Sequence, residues 1–375
     1  MRCLACLLAL VLSVAWASEA TARERWTPEK AQQWWKLRGW LAGANYLPSS
    51  SINQLEMWQA ESFDPAAIDR ELGWAHDLGF NSMRVFLHHL PFEQDPAGFL
   101  ERMDKFLSIA ARHRIGVMFV LFDSCWDPNP VLGKQRNPRP GVHNSGWVQC
   151  PGARDLIDRK RHEVLEKFTR GVISRFKNDP RVDSWDVWNE PDNQNDNSYG
   201  KNLLKQEPSR KVERTLELLE KAMRWALDSN PAQPVTSGVW IGQWPADSKL
   251  SPTERVQIDN SDVVTYHSYD PLDRSRNCVE NLRRYNRPIL CTEYMARPQG
   301  STFDPMLGYL RDQGVGAYNW GFIEGKSQTN YPWDSWQKPY KAEPAVWFHD
   351  ILRTDGKPYR QAEADYIKKT TAGGR

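Results

Sequence analysis

The chain has 375 residues, 40% hydrophobic and 26% charged, which is enough apolar material for a large core. Its 49 basic and 47 acidic side chains leave a formal net charge of +2. That balance offers no electrostatic attraction to nucleic acid, and no run beyond the N-terminus reaches the roughly 18 apolar residues of a membrane span.

The first seventeen residues read as an export signal. Arg2 gives a positive end, Leu4–Val14 an apolar stretch, and Ala15-Trp16-Ala17 a small-x-small cleavage site. The mature protein is therefore expected to be secreted or periplasmic. Beyond the signal, short β-rich apolar runs alternate with amphipathic stretches, the pattern of parallel strands joined by helical crossovers. Eight strands are predicted: Trp40–Tyr46, Ser82–His88, Gly116–Asp123, Val182–Asn189, Pro234–Trp240, Val263–Tyr269, Pro288–Tyr294 and Val315–Phe322. The helices between and after them are predicted at Pro65–Leu78, Ala97–His113, Arg154–Lys177, Ser209–Asp228, Pro252–Ile258, Arg274–Tyr285, Phe303–Gln313 and Pro344–Leu352. Asp64 is a candidate N-cap, with Pro65 in the first turn where no N–H is needed. Eight units favour a closed barrel, because closure leaves no edge strand. The expected fold class is α/β: a single (β/α)8 barrel over residues 26–360, followed by a partly disordered tail over 361–375. Three long connections, Ser124–Gly152, Pro191–Pro208 and Ile323–Glu343, all follow strands. They should emerge at the C-terminal face of the barrel, where function sits.

Eighteen tryptophans stand out. Trp58, Trp126, Trp147, Trp244, Trp333 and Trp336 fall in predicted loops, where an aromatic face suits a pyranose ring, although packing in the core competes for each of them. Past the signal, four cysteines remain: Cys125, Cys150, Cys278 and Cys291. Cys125 and Cys150 bracket one loop and are the candidate disulfide in an oxidising compartment, with free thiols as the alternative. Their spacings match no zinc pattern. The pair His88-His89 invites a metal, but adjacent strand residues point to opposite faces and no third ligand is evident, so no metal is expected.

Two carboxylates carry the chemistry. Trp185-Asp186-Val187-Trp188-Asn189-Glu190-Pro191 ends the fourth strand, and Pro288-Ile289-Leu290-Cys291-Thr292-Glu293-Tyr294 ends the seventh. Each glutamate is delivered to the barrel mouth, three strands apart in an eight-strand ring, so the two can face each other. Pro191 is expected to keep Glu190 extended. Trp188 is expected to wall Glu190 and raise its pKa, as a general acid requires. Arg84 lies in an apolar strand and needs a buried partner, for which Glu293 is the candidate. Asp123 ends the third strand, His267-Ser268-Tyr269 the sixth, and Tyr318-Asn319-Trp320-Gly321 the eighth.

Trp188-Asn189-Glu190-Pro191, His267-x-Tyr269, Thr292-Glu293-Tyr294 and Trp320 together resemble clan A glycoside hydrolases of the family-five cellulase and mannanase type. The resemblance spans nearly the whole mature chain. It implies a retaining double displacement on β-linked, β-1,4 gluco- or manno-configured oligo- or polysaccharides, with Glu190 as acid/base and Glu293 as nucleophile. It further implies that Asn189 holds the sugar 2-hydroxyl, that Arg84 and Tyr269 position Glu293, and that His267 joins the network around the acid/base. Trp320 would floor the subsite where the bond breaks. Trp126 is a further candidate for sugar contact. That family usually has a His at the end of the third strand, where this chain has Phe122-Asp123-Ser124-Cys125-Trp126, so the sugar preference stays open. No cofactor is implied, and a monomer acting on carbohydrate is expected. A transglycosylase with the same two glutamates and a non-catalytic sugar-binding barrel are the alternatives.

Overall fold

A computed structural model describes residues 23–196 and 207–372. The export signal lies outside these residues. Eight parallel strands form the barrel: β1 Ala42–Asn45, β2 Ser82–Phe86, β3 Gly116–Asp123, β4 Val182–Asn189, β5 Val235–Thr236, β6 Val264–His267, β7 Ile289–Tyr294 and β8 Gly316–Asn319. Their order is β5-β4-β3-β2-β1-β8-β7-β6. The ring closes just past β5, where Val239 pairs with Tyr266 of β6 in parallel register. Val239 N–H donates to Thr265 O at 3.1 Å, and His267 N–H donates to Val239 O at 3.0 Å. The expected (β/α)8 barrel is thus the observed fold.

Side chains alternate between two cores, as strand geometry requires. Met83 and Val85 of β2, and Val117, Phe119 and Leu121 of β3, point outward and pack against the helices. The inward set forms two plugs. Near the strand N-termini, Met118, Leu290 and Tyr318 pack with Trp26, Ala31 and Leu41. Near the C-termini, Phe86 and Val120 pack with Trp147 beneath Trp320. Gly43 of β1 is needed here, because a Cβ would overlap the Ser82 carbonyl of the neighbouring strand.

An extra helix, Pro28–Arg38, precedes β1; Thr27 caps it and Pro28 starts it. Its Arg38 reaches the buried carboxylate of Asp183 at the start of β4. The helix predicted at Pro252–Ile258 forms over Pro252–Asn260, held by a capping box between Ser251 and Glu254. The stretch predicted as one helix over Arg154–Lys177 is broken into Ala153–Ile157, a 3₁₀ turn at Arg159–Arg161, and His162–Phe176. Asp158 explains the break, since its side chain caps the turn at Lys160 N–H.

Two expectations are corrected at the C-terminus. Pro344–Leu352 is not a helix. Its polar residues serve tertiary contacts instead: Asp350 accepts from Thr329 Oγ1 at 2.7 Å and His349 Nδ1 donates to Met295 O at 2.6 Å. The last helix is Gln361–Ala372, placed where a tail was expected. It buries Ala364, Ile367, Thr370 and Thr371, and is pinned by Glu363 on Arg297 at 2.6 Å and Thr371 Oγ1 on Leu78 O at 3.1 Å.

The cysteine and tryptophan expectations also change. Cys125 and Cys150 are not bridged; all four described cysteines are free thiols. Cys150 sits 3.3 Å from His89 Nδ1, while Cys125 faces Glu190. Trp58 and Trp244 are core residues. Trp58 packs among Phe63, Phe99, Phe106 and Phe119, and its Nε1 donates to Phe86 O at 2.8 Å. Trp58→Ala should lower unfolding free energy by about 3–5 kcal/mol, the usual result of emptying a large aromatic site. Urea denaturation measures this, and a loss below about 1 kcal/mol would contradict a core role.

Candidate active site

The strand C-termini converge on a cavity of about 190 Å³. Its lining includes Glu190 and Glu293, with Asn189, His267, Tyr269, Trp126 and Trp320 around them. Arg84 and Asp123 lie outside that lining and act from behind it. One oxygen of Glu190, one of Glu293 and one nitrogen of His267 all lie within 4.8 Å of each other.

Glu293 is held by a cation and a phenol. Arg84 Nη1 donates to Oε1 at 2.9 Å and the Tyr269 hydroxyl donates to Oε2 at 2.6 Å. Arg84 has no exposed surface. Its remaining donors go to Asp186 Oδ2 at 3.0 and 2.8 Å, Asn45 Oδ1 at 2.7 Å and Asn189 Oδ1 at 2.7 Å. Burial pulls the guanidinium pKa down, and Asp186 and Glu293 more than reverse this. Burial also raises the Glu293 carboxyl, as does the Glu190 charge, against the opposing pull of His267, Arg84 and Tyr269.

Glu190 has a different setting. Burial pushes its carboxyl up to about 7, against hydrogen bonds from Asn193 and Cys125 and the more distant charge of Arg84. His267 Nδ1 lies 2.9 Å from Oε1, and Asn193 Nδ2 donates to Oε2 at 2.7 Å. The His267 ring is pulled by burial down to about 4, so it is neutral at ordinary pH. Pro191 does not keep Glu190 extended: Glu190 has a φ of 46°, in the left-handed region. Trp188 is not its wall. Trp188 turns toward Phe122, 5.2 Å between ring centroids, and its Nε1 donates to Ser124 Oγ at 2.9 Å.

Asp123 orients Asn189. Its Oδ1 accepts from Asn189 Nδ2 at 2.9 Å and its Oδ2 from Trp147 Nε1 at 2.5 Å. Burial raises its pKa to about 6. Trp320 stands edge-on to Phe86 and Trp147, with centroids at 5.7 and 5.8 Å. Trp126 stacks on Trp336 at 5.1 Å with the rings 8° apart.

Several lining residues have no signal of their own in the sequence: Cys125, His143, Asn193 and Asn195 lie in long loops, and Trp240 follows β5. Trp333 also lines the cavity, and loop position already marked it as an aromatic candidate. His88 and His89 do not diverge, because β2 ends before them and His88 caps the helix His89–Gln94. Their rings stack at 4.9 Å. With Cys150 they place three potential ligand atoms within 4.8 Å. Their ring nitrogens are already engaged by Leu90 N–H, Gln149 O, Cys150 and Asp155. A metal would have to break these contacts.

No family model matches the chain, and no curated protein matches it in sequence. Its fold is shared with solved structures. The exo-β-1,4-mannosidase Op5Man5 from Opitutaceae bacterium strain TAV5 superposes with a TM-score of 0.58 at 18% identity, covering 90% of this chain. This chain spans 60% of that protein's length. The β-mannanase of the blue mussel Mytilus edulis gives 0.53 at 16% identity, covering 82% of this chain and 94% of its own. A glycoside hydrolase family 5 mannosidase from Rhizomucor miehei gives 0.52 at 16%, with 89% and 92% covered. The likeness establishes the (β/α)8 barrel as the fold. Among the described residues, no helix is long and apolar enough to cross a membrane.

Arg84→Met should strand two buried carboxylates, Asp186 and Glu293, without their cation. Stability should fall by about 3–5 kcal/mol. An unchanged midpoint in chemical denaturation would show that Arg84 does not neutralise them.

Proposed function

We propose that this protein is a retaining β-glycoside hydrolase that removes sugars from one end of short β-1,4-linked, manno- or gluco-configured oligosaccharides. The observation carrying the reading is the pair Glu190 and Glu293, with oxygens within 4.8 Å across the barrel mouth and opposite surroundings. That separation suits the roughly 5–5.5 Å of covalent, retaining enzymes better than the roughly 6.5–9.5 Å of inverting ones.

The two settings divide the labour. Glu293, tied to Arg84 and Tyr269, is the nucleophile that attacks the anomeric carbon. Glu190, with its proton held near neutrality, donates that proton to the leaving oxygen as the C–O bond breaks. It then takes a proton from the water that releases the glycosyl-enzyme. Asn189, fixed between Arg84 and Asp123, offers its amide to the sugar 2-hydroxyl. Trp320 lies under the ring.

The loops support exo action. The acid just past β4 places the leaving group on its own side, near Trp240, and the glycone runs toward Trp320, just past β8. There the loops after β3 and β8 are joined. Asn144 N–H donates to Ser327 O at 2.8 Å, His143 N–H to Ser335 Oγ at 2.9 Å, and Tyr340 N–H to Gly141 O at 3.0 Å. A separate pocket beside Trp320, lined by Phe86, Asn144, Trp147 and Ser327, holds about 20 Å³, too little for a sugar. The mannosidases and mannanases that share the fold favour a manno-configured substrate.

Five measurements test this. Glu293→Gln should abolish turnover of aryl β-mannosides and β-glucosides. Glu190→Ala should keep activity on 2,4-dinitrophenyl glycosides and form a β-glycosyl azide with added azide; an absence of both would remove Glu190 as acid/base. Proton NMR should show the β-anomer first, and an initial α-anomer would overturn retention. On reducing-end-labelled oligosaccharides, each early product should be one sugar shorter, whereas mid-length fragments would refute exo action. The rate of kcat/KM should fall as pH rises through about 7, where Glu190 loses its proton, and should fall in acid as Glu293 gains one.

A further inference from the structure

A general acid must be aimed as well as protonated, and in Glu190 the aiming is done by residues from two loops. Its positive φ is held by a tight turn in which Asn193 N–H donates to Glu190 O at 3.0 Å. The Asn193 side chain then folds back, and its Nδ2 donates to Glu190 Oε2 at 2.7 Å. From the other side the Cys125 thiol reaches the same oxygen at 3.3 Å. The sulfur in turn accepts from Asn193 Nδ2 and Asn189 Nδ2, both at 3.4 Å. Cys125 is itself placed by its backbone, whose N–H donates to Asp123 Oδ1 at 3.1 Å.

We propose that Cys125 and Asn193 are positioning residues for the acid/base step, a thiol and an amide that together hold Oε2 of Glu190 so that Oε1 carries the transferred proton. This rests on the reading of Glu190 as the acid/base. In the forward step the Oε1–H bond breaks, the proton passes to the leaving oxygen, and the carboxylate left behind keeps both donors on Oε2. Both donors favour the ionised form, so they offset part of the burial that raises this carboxyl. The other groups facing it are His267 from β6, Glu293 from β7, Arg84 from β2, Tyr269 beyond β6 and Asp192 in its own loop. Of these Arg84 pulls the pKa down and Asp192 pushes it up.

The test compares Asn193→Ala, Cys125→Ala and Cys125→Ser on two leaving groups. For an alkyl leaving group, which needs a proton to depart, kcat/KM should fall roughly tenfold in the two alanine variants. For 2,4-dinitrophenol, which departs unaided, glycosylation should stay near wild type. The alkaline limb of kcat/KM should move up by about one pH unit in Asn193→Ala and by less in Cys125→Ala, since a thiol is a weak donor. Cys125→Ser should restore the wild-type profile. Equal losses on both leaving groups with an unmoved limb would overturn the proposal. Should Cys125→Ala fail to fold, Cys125→Val makes the same comparison. The two readings fail separately: Glu190→Ala without azide products sinks the acid/base assignment itself. Glu190→Ala behaving as an acid/base knockout, with wild-type-like Asn193→Ala and Cys125→Ala, sinks only this proposal.

Discussion

A guanidinium with no exposed surface sits across the middle of the barrel, and its charge has to be balanced where it stands. Arg84 has five N–H donors, and each meets an acceptor: two on Asp186, one each on Asn45, Glu293 and Asn189. Leaving any of these charges unpaired in the interior costs several kcal/mol. Four strands, β1, β2, β4 and β7, are thereby fixed in register around one cation. Glu293 is thus part of the electrostatic balance of the core as well as part of the cavity wall, and its position follows from the fold.

Glu190 stands outside that balance. Its direct partners are a neutral imidazole, an amide and a thiol. Burial therefore dominates, and its proton is held to about pH 7. The same interior that keeps one carboxyl paired with a cation leaves the other without a direct cationic partner. Two like groups in one cavity are thereby held by different partners, one by a cation and a phenol, the other by an imidazole, an amide and a thiol.

The parts legible in the sequence are those set by strand periodicity. Glu190 and Glu293 could be placed because each is the carboxylate that a strand delivers at its C-terminal end. Arg84 stood out because a cation in such a strand needs a partner. What was not legible depends on distant segments. Pro191 argued for an extended Glu190, but the turn closed by Asn193 overrides that local preference. Loop length between Cys125 and Cys150 suggested a bridge, whereas the fold turns one thiol to Glu190 and the other to His89. Gln361–Ala372 presents a weak apolar face, with Ile367 the only large aliphatic residue it buries, so its helix depends on the surface it covers. Trp58 and Trp126 both fall in loop sequence, and only packing separates a core residue from one that lines the cavity.

The loop after β3 joins the chemistry to the shape of the cavity. It begins at Asp123, which orients Asn189, and continues through Cys125, which touches Glu190, to Trp126 and His143 in the wall. Its far end is fastened to the loop after β8. A change in the β8 loop that loosened this fastening would open that end of the cavity and also free the segment that carries Cys125. Under the proposed function, cavity length and the aim of Glu190 are therefore coupled through one backbone. Lengthening the cavity by trimming the β8 loop would not be a neutral change, because Glu190 would lose part of the support that Cys125 gives it.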